Sequence, residues 1–286
     1  MYSSQITKTS PSAFVIMIDQ SGSMIEKVLY DGRMLSKAEA VATIANALIC
    51  ELINRCRREE GINDYYDIAV VGYSGDGAVN LLDSGGFMKP SALASRFLYR
   101  RRTSSERLMP GGRTAMIATE QEWWIEPKAT GRTPMYEAFG LVTSMLEAWC
   151  REAGHRGSYP PTVFNITDGD ASDGDVAQML SAADRLRSLS TDDGNVLLLN
   201  IHLCGSDFVN ESSSVIFPSD VGELPEKRRS RLMYDMSSTM PAHYDELIVG
   251  LRGEGARPPF RGMGYNCSMN NLVSMMNIGS LSVTVI

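Results

Sequence analysis

Ala13-Phe14-Val15-Ile16-Met17-Ile18 is an unbroken apolar block that ends abruptly in Asp19-Gln20-Ser21-Gly22-Ser23. A short apolar run without helical spacing, followed by turn formers, reads as a buried parallel strand entering a polar loop. Working outward, Val41, Ile44, Ala45, Leu48, Ile49, Leu52, Ile53 and Cys56 recur at steps of three and four after a cap at Ser36. That spacing predicts a helix over 36–58. Residues 67–74 (DIAVVGYS) read as a second buried strand, with 78–82 as its hairpin partner across Gly75-Asp76-Gly77.

Thr133 is the expected N-cap, and Pro134 the first helical residue, of a helix over 134–152 whose apolar stripe includes Met135, Phe139, Leu146 and Trp149. Residues 162–167 (TVFNIT) and 196–203 (VLLLNIHL) read as further buried strands, with a helix between them capped by Asp173 or Asp175. Strands alternating with helices predict an α/β fold: a doubly wound, mostly parallel sheet flanked by helices. The strands at 13–18 and 162–167 should be adjacent, bringing Asp19 and Asp168 to one edge. Three parts follow: a polar tail over 1–12, a domain over 13–205 with an irregular insertion at about 85–130, and a carboxyl-terminal elaboration over 206–286 packed on the same domain. Within that elaboration, helices are expected near 223–236 and 243–251.

The chain has 286 residues, with 27 Lys and Arg against 34 Asp and Glu, a formal charge of −7. Such a balance argues against nucleic-acid binding as the main role, because that binding rests on clustered cations. No apolar run approaches the roughly 18 residues of a membrane span. The cysteines (Cys50, Cys56, Cys150, Cys204, Cys267) never form CxxC, so a disulfide framework and a zinc site are disfavoured. Together with the polar start, these features lead us to expect a reduced, cytoplasmic protein.

Asp19, Ser21 and Ser23 follow one buried strand, Asp168 follows another, and Thr133 opens a helix. In open α/β sheets, ligands bind beyond the carboxyl ends of strands. An all-oxygen set without His or Cys suits Mg²⁺, Mn²⁺ or Ca²⁺. Asp-x-Ser-x-Ser (19–23), Thr133 in Gly131-Arg132-Thr133-Pro134, and Asp168 in Thr167-Asp168-Gly169 resemble the metal-ion-dependent adhesion site of von Willebrand factor A domains. The match covers roughly 11–205. The resemblance implies a Rossmann-like sheet with a divalent ion, usually Mg²⁺, held at its top by Asp19, Ser21, Ser23, Thr133 and Asp168. It also implies a non-enzymatic role, in which a partner protein completes the ion's shell with a Glu or Asp carboxylate. In overall style the chain resembles stand-alone intracellular bacterial members, including those of tellurite-resistance type encoded beside Ser/Thr kinases and phosphatases.

The same residues admit other readings. A strand-end Asp19 beside a cation could act as the nucleophile of a Mg²⁺-dependent phosphohydrolase, although Ser21 stands where an acidic partner is usual. A metal-free scaffold is the other alternative. Asp170, Asp173 and Asp175 read as solvated loop and helix-start residues. Arg100–Arg102 with Arg107, and Lys227-Arg228-Arg229 with Arg231, read as solvated faces, and Trp123-Trp124 as core or partner surface. His202, within an apolar strand, reads as structural.

Overall fold

The computed structural model describes every residue except 31, 76, 84, 110–112, 204–213, 226 and 281–286, and the backbone alone over 103–119. Strand β1 (Ser12–Asp19) is buried along its whole length. A 3-10 turn at Gly22–Ile25 leads into the hairpin β2 (Lys27–Tyr30) and β3 (Arg33–Ser36), which runs directly into α1 (Lys37–Arg55). Ser36 starts that helix with reciprocal bonds. Its hydroxyl accepts the Glu39 N–H at 3.2 Å, while the Glu39 carboxylate accepts the Ser36 N–H at 2.9 Å. The two-residue ladder β4 (Arg57–Arg58) and β5 (Gly61–Ile62) precedes β6 (Tyr66–Ser74) and its antiparallel partner β7 (Gly77–Asn80).

Next come α2 (Pro90–Leu93), the long strands β8 (Tyr99–Met109) and β9 (Arg113–Trp123), α3 (Met135–Arg151), β10 (Thr162–Thr167) and α4 (Val176–Ser188). A second small ladder, β11 (Ser190–Thr191) with β12 (Gly194–Asn195), introduces β13 (Leu197–Leu203). The last part supplies β14 (Val215–Ile216), α5 (Arg228–Met236), α6 (Asp245–Arg252), β15 (Met263–Cys267) and α7 (Met269–Ser280).

A seven-stranded sheet in the order β14-β15-β13-β10-β1-β6-β7 organises the chain. The inner five strands are parallel and the two edge strands antiparallel. This is the α/β architecture that the strand–helix alternation predicts. β1 lies between β10 and β6, with Ile18 opposite Ile166 and Asp19 opposite Tyr73. The carboxyl ends of β1 and β10 therefore share one edge.

Strand periodicity sends alternate side chains of β1 to opposite layers. Phe14, Ile16 and Ile18 join the core beneath α1 and α7, while Ala13, Val15 and Met17 meet α3 and α4. Complete burial of one such Phe or Ile contributes about 2–3 kcal/mol, so the two layers anchor the sheet firmly.

The insertion departs from the irregular segment expected. Residues 99–123 form an antiparallel ribbon, paired from Tyr99–Trp123 to Met109–Arg113. Arg100-Arg101-Arg102-Thr103-Ser104-Ser105 has no apolar alternation, so its sequence carries no strand signal, and backbone hydrogen bonds hold the ribbon instead. The expected turn at Gly111-Gly112 lies outside the described residues, as does the Arg107 side chain. Trp123 and Trp124 are both core, and the Trp124 indole N–H donates to the Leu93 carbonyl at 2.9 Å. β15 enters the main sheet beside β13, although its short sequence MGYNC gave no sign of a strand. Cys50, Cys56, Cys150 and Cys267 form no disulfide, and Cys204 is outside the described residues. Among the described residues no helix is long and apolar enough to cross a membrane.

Candidate functional site

β1 delivers Asp19 to the head of the sheet with no exposed surface. One carboxylate oxygen accepts the Ser21 N–H at 2.8 Å, and the other accepts the Thr167 hydroxyl at 2.7 Å. Burial raises the Asp19 pKa; the bonds from Ser21 and Thr167 oppose the rise, and the Asp168 charge adds to it. Asp19 thus has both oxygens engaged and no access to solvent, which denies it the role of a nucleophile in this conformation.

A chain of polar contacts continues from there. The Ser21 and Ser23 hydroxyls lie 3.1 Å apart, and Ser23 donates to Asp168 Oδ1 at 2.6 Å. Asp168 Oδ2 accepts from Lys37 Nζ at 2.8 Å, and the same ammonium donates to Glu26 Oε2 at 2.6 Å. Lys37 is the first residue of α1, and only 2% of it is exposed. Burial alone would lower its pKa, but the ion pairs with Asp168 and Glu26 outweigh that and raise it, so the ammonium is fully charged.

Thr133 borders this network without a side-chain link into it. Its hydroxyl lies beside Gly169, and its backbone holds the neighbouring loop, with the Thr133 N–H donating to Ser172 Oγ at 3.1 Å and the Ser172 N–H returning to the Thr133 carbonyl at 2.9 Å. Pro134, not Thr133, is the N-cap of α3. The open N–H groups at that end, Tyr136 and Glu137, are taken by the Asp173 carboxylate at 3.0 and 2.9 Å. Asp173 therefore caps α3 from a distant loop, while Asp175 caps α4 in a capping box with Gln178. The Thr133 loop is docked by glycines. The Gly22 N–H donates to the Gly131 carbonyl at 3.0 Å, and a Cβ on Gly131 (φ 71°) would fall 2.6 Å from the Gly75 Cα.

This arrangement overturns the expected Mg²⁺, Mn²⁺ or Ca²⁺ site, and with it the metal-bridged binding of a partner carboxylate. Among the described residues no group of three or more His, Cys, Asp and Glu is placed to hold a metal ion. The motif itself brings only two carboxylates to this point, Asp19 and Asp168, and Asp168 is already paired with the Lys37 ammonium. A divalent ion roughly 4 Å from a fixed unit charge would meet about 8 kcal/mol of repulsion at an effective dielectric near 20. The residues present do not fit a cation cofactor; they already contain a cation.

Four participants are not marked by the sequence reading: Glu26, Lys37, Thr167 and Arg229. Lys37 had a detectable signal, because a Lys directly after a helix cap sits against the helix dipole. Arg229 does not lie on the solvated face that its basic neighbours suggest. Instead it grips Asp170 through Nε at 2.7 Å and Nη2 at 3.0 Å, and directs Nη1 at His202 Nε2 at 3.0 Å. Asp170, likewise read as solvated, is the other half of that fork, and Arg229 holds its carboxyl below the usual range. His202 stacks on Tyr265 with ring centroids 4.7 Å apart and planes inclined by 10°. Burial, followed by the Arg229 charge, lowers its pKa to about 4.

No family model matches the sequence, and no curated protein matches it. Among solved structures, the chain is similar to a von Willebrand factor type A protein from Catenulispora acidiphila at 16% identity and a TM-score of 0.40, covering 79% of this chain and 43% of that one. It is also similar to the vWF domain of the type V pili tip protein Mfa5 from Porphyromonas gingivalis, at 13% identity and a TM-score of 0.32, over 57% and 39% of the two chains. A third likeness, at 13% identity and a TM-score of 0.27, is to an uncharacterized membrane spanning protein from Vibrio fischeri, over 79% and 86%. The chain spans less than half the length of the first two.

Proposed function

We propose that this chain is a non-enzymatic protein-interaction module with a von Willebrand factor A-like fold, and that it engages its partner without a divalent ion. The observation that carries this reading is the closed polar network at the head of the sheet. Both oxygens of Asp19 and both oxygens of Asp168 are satisfied from within the chain. In this proposal Asp19, Ser21, Ser23, Thr133 and Asp168 form a structural platform that fixes the surrounding loops. Residues 13–205 and 206–286 act as one unit on the same reading, with Arg229 tying α5 to Asp170.

Contact with a partner is then supplied by apolar surface beside the platform. Leu29 and Met34 face each other across the β2–β3 hairpin and are 66% and 61% exposed. Large apolar side chains gathered in one exposed place mark interaction surfaces. A cytoplasmic setting in a bacterium belongs to the same proposal, on the chain's resemblance in overall style to stand-alone intracellular members.

Affinity capture from the native host tests the reading. The same partners should be retained with EDTA and with Mg²⁺, and lost when Leu29→Asp and Met34→Asp are combined. Loss of partners in EDTA, or full retention by the double variant, would refute it.

A further inference from the structure

The disagreement between the adhesion-site motif and its geometry has a specific cause. Asp19 and Asp168 end adjacent parallel strands, so two carboxylates converge where the sheet stops. A buried carboxylate is retained only when paired or hydrogen-bonded, and the Asp168 side chain is 1% exposed. Something positive must stand beside it.

We propose that the Lys37 ammonium is that cation: a covalently tethered substitute for a divalent ion, and the group that keeps this face closed to metals. Two general tendencies oppose a Lys at this position. Lys is almost never fully buried unless paired, and a cation at the first turn of a helix opposes the helix dipole. Its presence there is offset by Asp168 on one side and Glu26 on the other, at 2.8 and 2.6 Å. The Glu26 carbonyl also accepts the Lys37 backbone N–H at 2.8 Å, so hairpin and helix start are held together at this point.

The substitution changes the chemistry of the face. A metal ion has exchangeable positions that a partner's carboxylate can enter, whereas an ammonium has only its fixed N–H donors. A metal also leaves when its concentration falls, and Lys37 cannot. The hydroxyls of Ser21 and Ser23, which could otherwise ligate an ion, are instead spent on each other and on Asp168. Removing the ammonium alone should therefore free Asp168 Oδ2 and open the head of the sheet, where the Ser21 and Ser23 hydroxyls adjoin Asp168, to an ion.

The inference rests on the metal-free reading above, and the experiment separates the two. Full-length wild type and Lys37→Met are melted in EDTA and in Mn²⁺, and free aqueous Mn²⁺ is followed by electron paramagnetic resonance. Wild type should melt identically in both and leave the Mn²⁺ signal unchanged. Lys37→Met should melt about 10 °C lower in EDTA, because an uncompensated buried charge remains. It should recover part of that loss in Mn²⁺ and remove one equivalent of the ion from solution. Lys37→Gln, which keeps a neutral donor to Asp168, is measured in parallel and carries the same test where Lys37→Met fails to fold. Mn²⁺ uptake by wild type would overturn the metal-free reading itself. Uptake by neither wild type nor the variants would overturn the role given to Lys37 and leave that reading intact.

Discussion

Mild acid should weaken this fold through His202 before carboxylate protonation does. Burial and the Arg229 guanidinium hold the His202 pKa at about 4, against 6.5 for an unperturbed histidine. Arg229 Nη1 lies 3.0 Å from Nε2 and the Asn266 N–H points at Nδ1 from 3.3 Å, so donors face both ring nitrogens and a doubly protonated ring finds an acceptor at neither. The folded state therefore resists protonation that the unfolded chain accepts. The contribution of His202 is fully present above pH 6.5, declines as pH falls from 6.5 to about 4, and is flat below that. The full difference of 2.5 units, 6.5 less 4, corresponds to about 3 kcal/mol, of which about 2 kcal/mol is gone by pH 5. Glu39 and Asp170, held low by Ser36 and Arg229 respectively, act in the same direction but only within the lower carboxylate range. His243 is also lowered by burial, so a variant is needed to isolate His202. His202→Gln keeps an acceptor within reach of Arg229, does not titrate, and loses about 1 kcal/mol of Tyr265 stacking at every pH. Urea unfolding near pH 7, 6 and 5 should show the wild-type midpoint falling about 1 M further than the variant's, for a slope of about 2 kcal/mol/M. Parallel declines in the two proteins would refute the assignment.

Two further outcomes follow from the same geometry. Asp19→Asn should stabilise the protein near pH 7 by about 1 kcal/mol, or about 2–4 °C in Tm, because a buried charge beside Asp168 is removed while the Asn carbonyl still accepts the Ser21 N–H. Since the folded Asp19 pKa is raised, that gain should shrink as pH falls through it; a loss of Tm near pH 7, measured by scanning fluorimetry, would count against the claim that its ionised form is strained. Asp173→Ala should cost about 1 kcal/mol by stripping the start of α3 of its acceptor, whereas a denaturant midpoint equal to wild type would show that solvent serves the Tyr136 and Glu137 N–H groups equally well.

The sheet was legible because its strands carry their own signatures. Residues 13–18, 67–74, 162–167 and 196–203 are apolar blocks bounded by turn formers, and each falls within or across the ends of β1, β6, β10 and β13. The β8–β9 ribbon was not legible because Arg100, Arg101 and Arg102 follow one another with no face to bury. Its pairing is a backbone property that side-chain periodicity does not record. At the site, the motif residues marked the head of the sheet, yet their chemistry depends on partners distant in sequence. Lys37 meets Asp168 across 131 positions, and Arg229 meets Asp170 across 59. Asp173 was expected to cap a neighbouring helix and instead caps α3, because loop packing, not sequence proximity, decides which N–H groups it reaches.

A motif built from Asp, Ser and Thr specifies that oxygen atoms converge; it does not specify what balances their charge. Metal-bound and metal-free versions of such a site share the same oxygens and differ only in the source of the positive charge. Here that source is one helical position, Lys37, whose ammonium reaches Asp168 while its backbone N–H ties down Glu26. The choice has an energetic consequence. An exchangeable ion contributes stability that rises with its concentration by mass action, whereas a tethered ammonium contributes a constant amount. It also supplies one positive charge where a divalent ion supplies two, and the Asp19 pKa stays raised, chiefly by burial, with the Asp168 charge adding to it. The head of this sheet is therefore a fixed polar surface whose charge balance does not depend on an exchangeable ion.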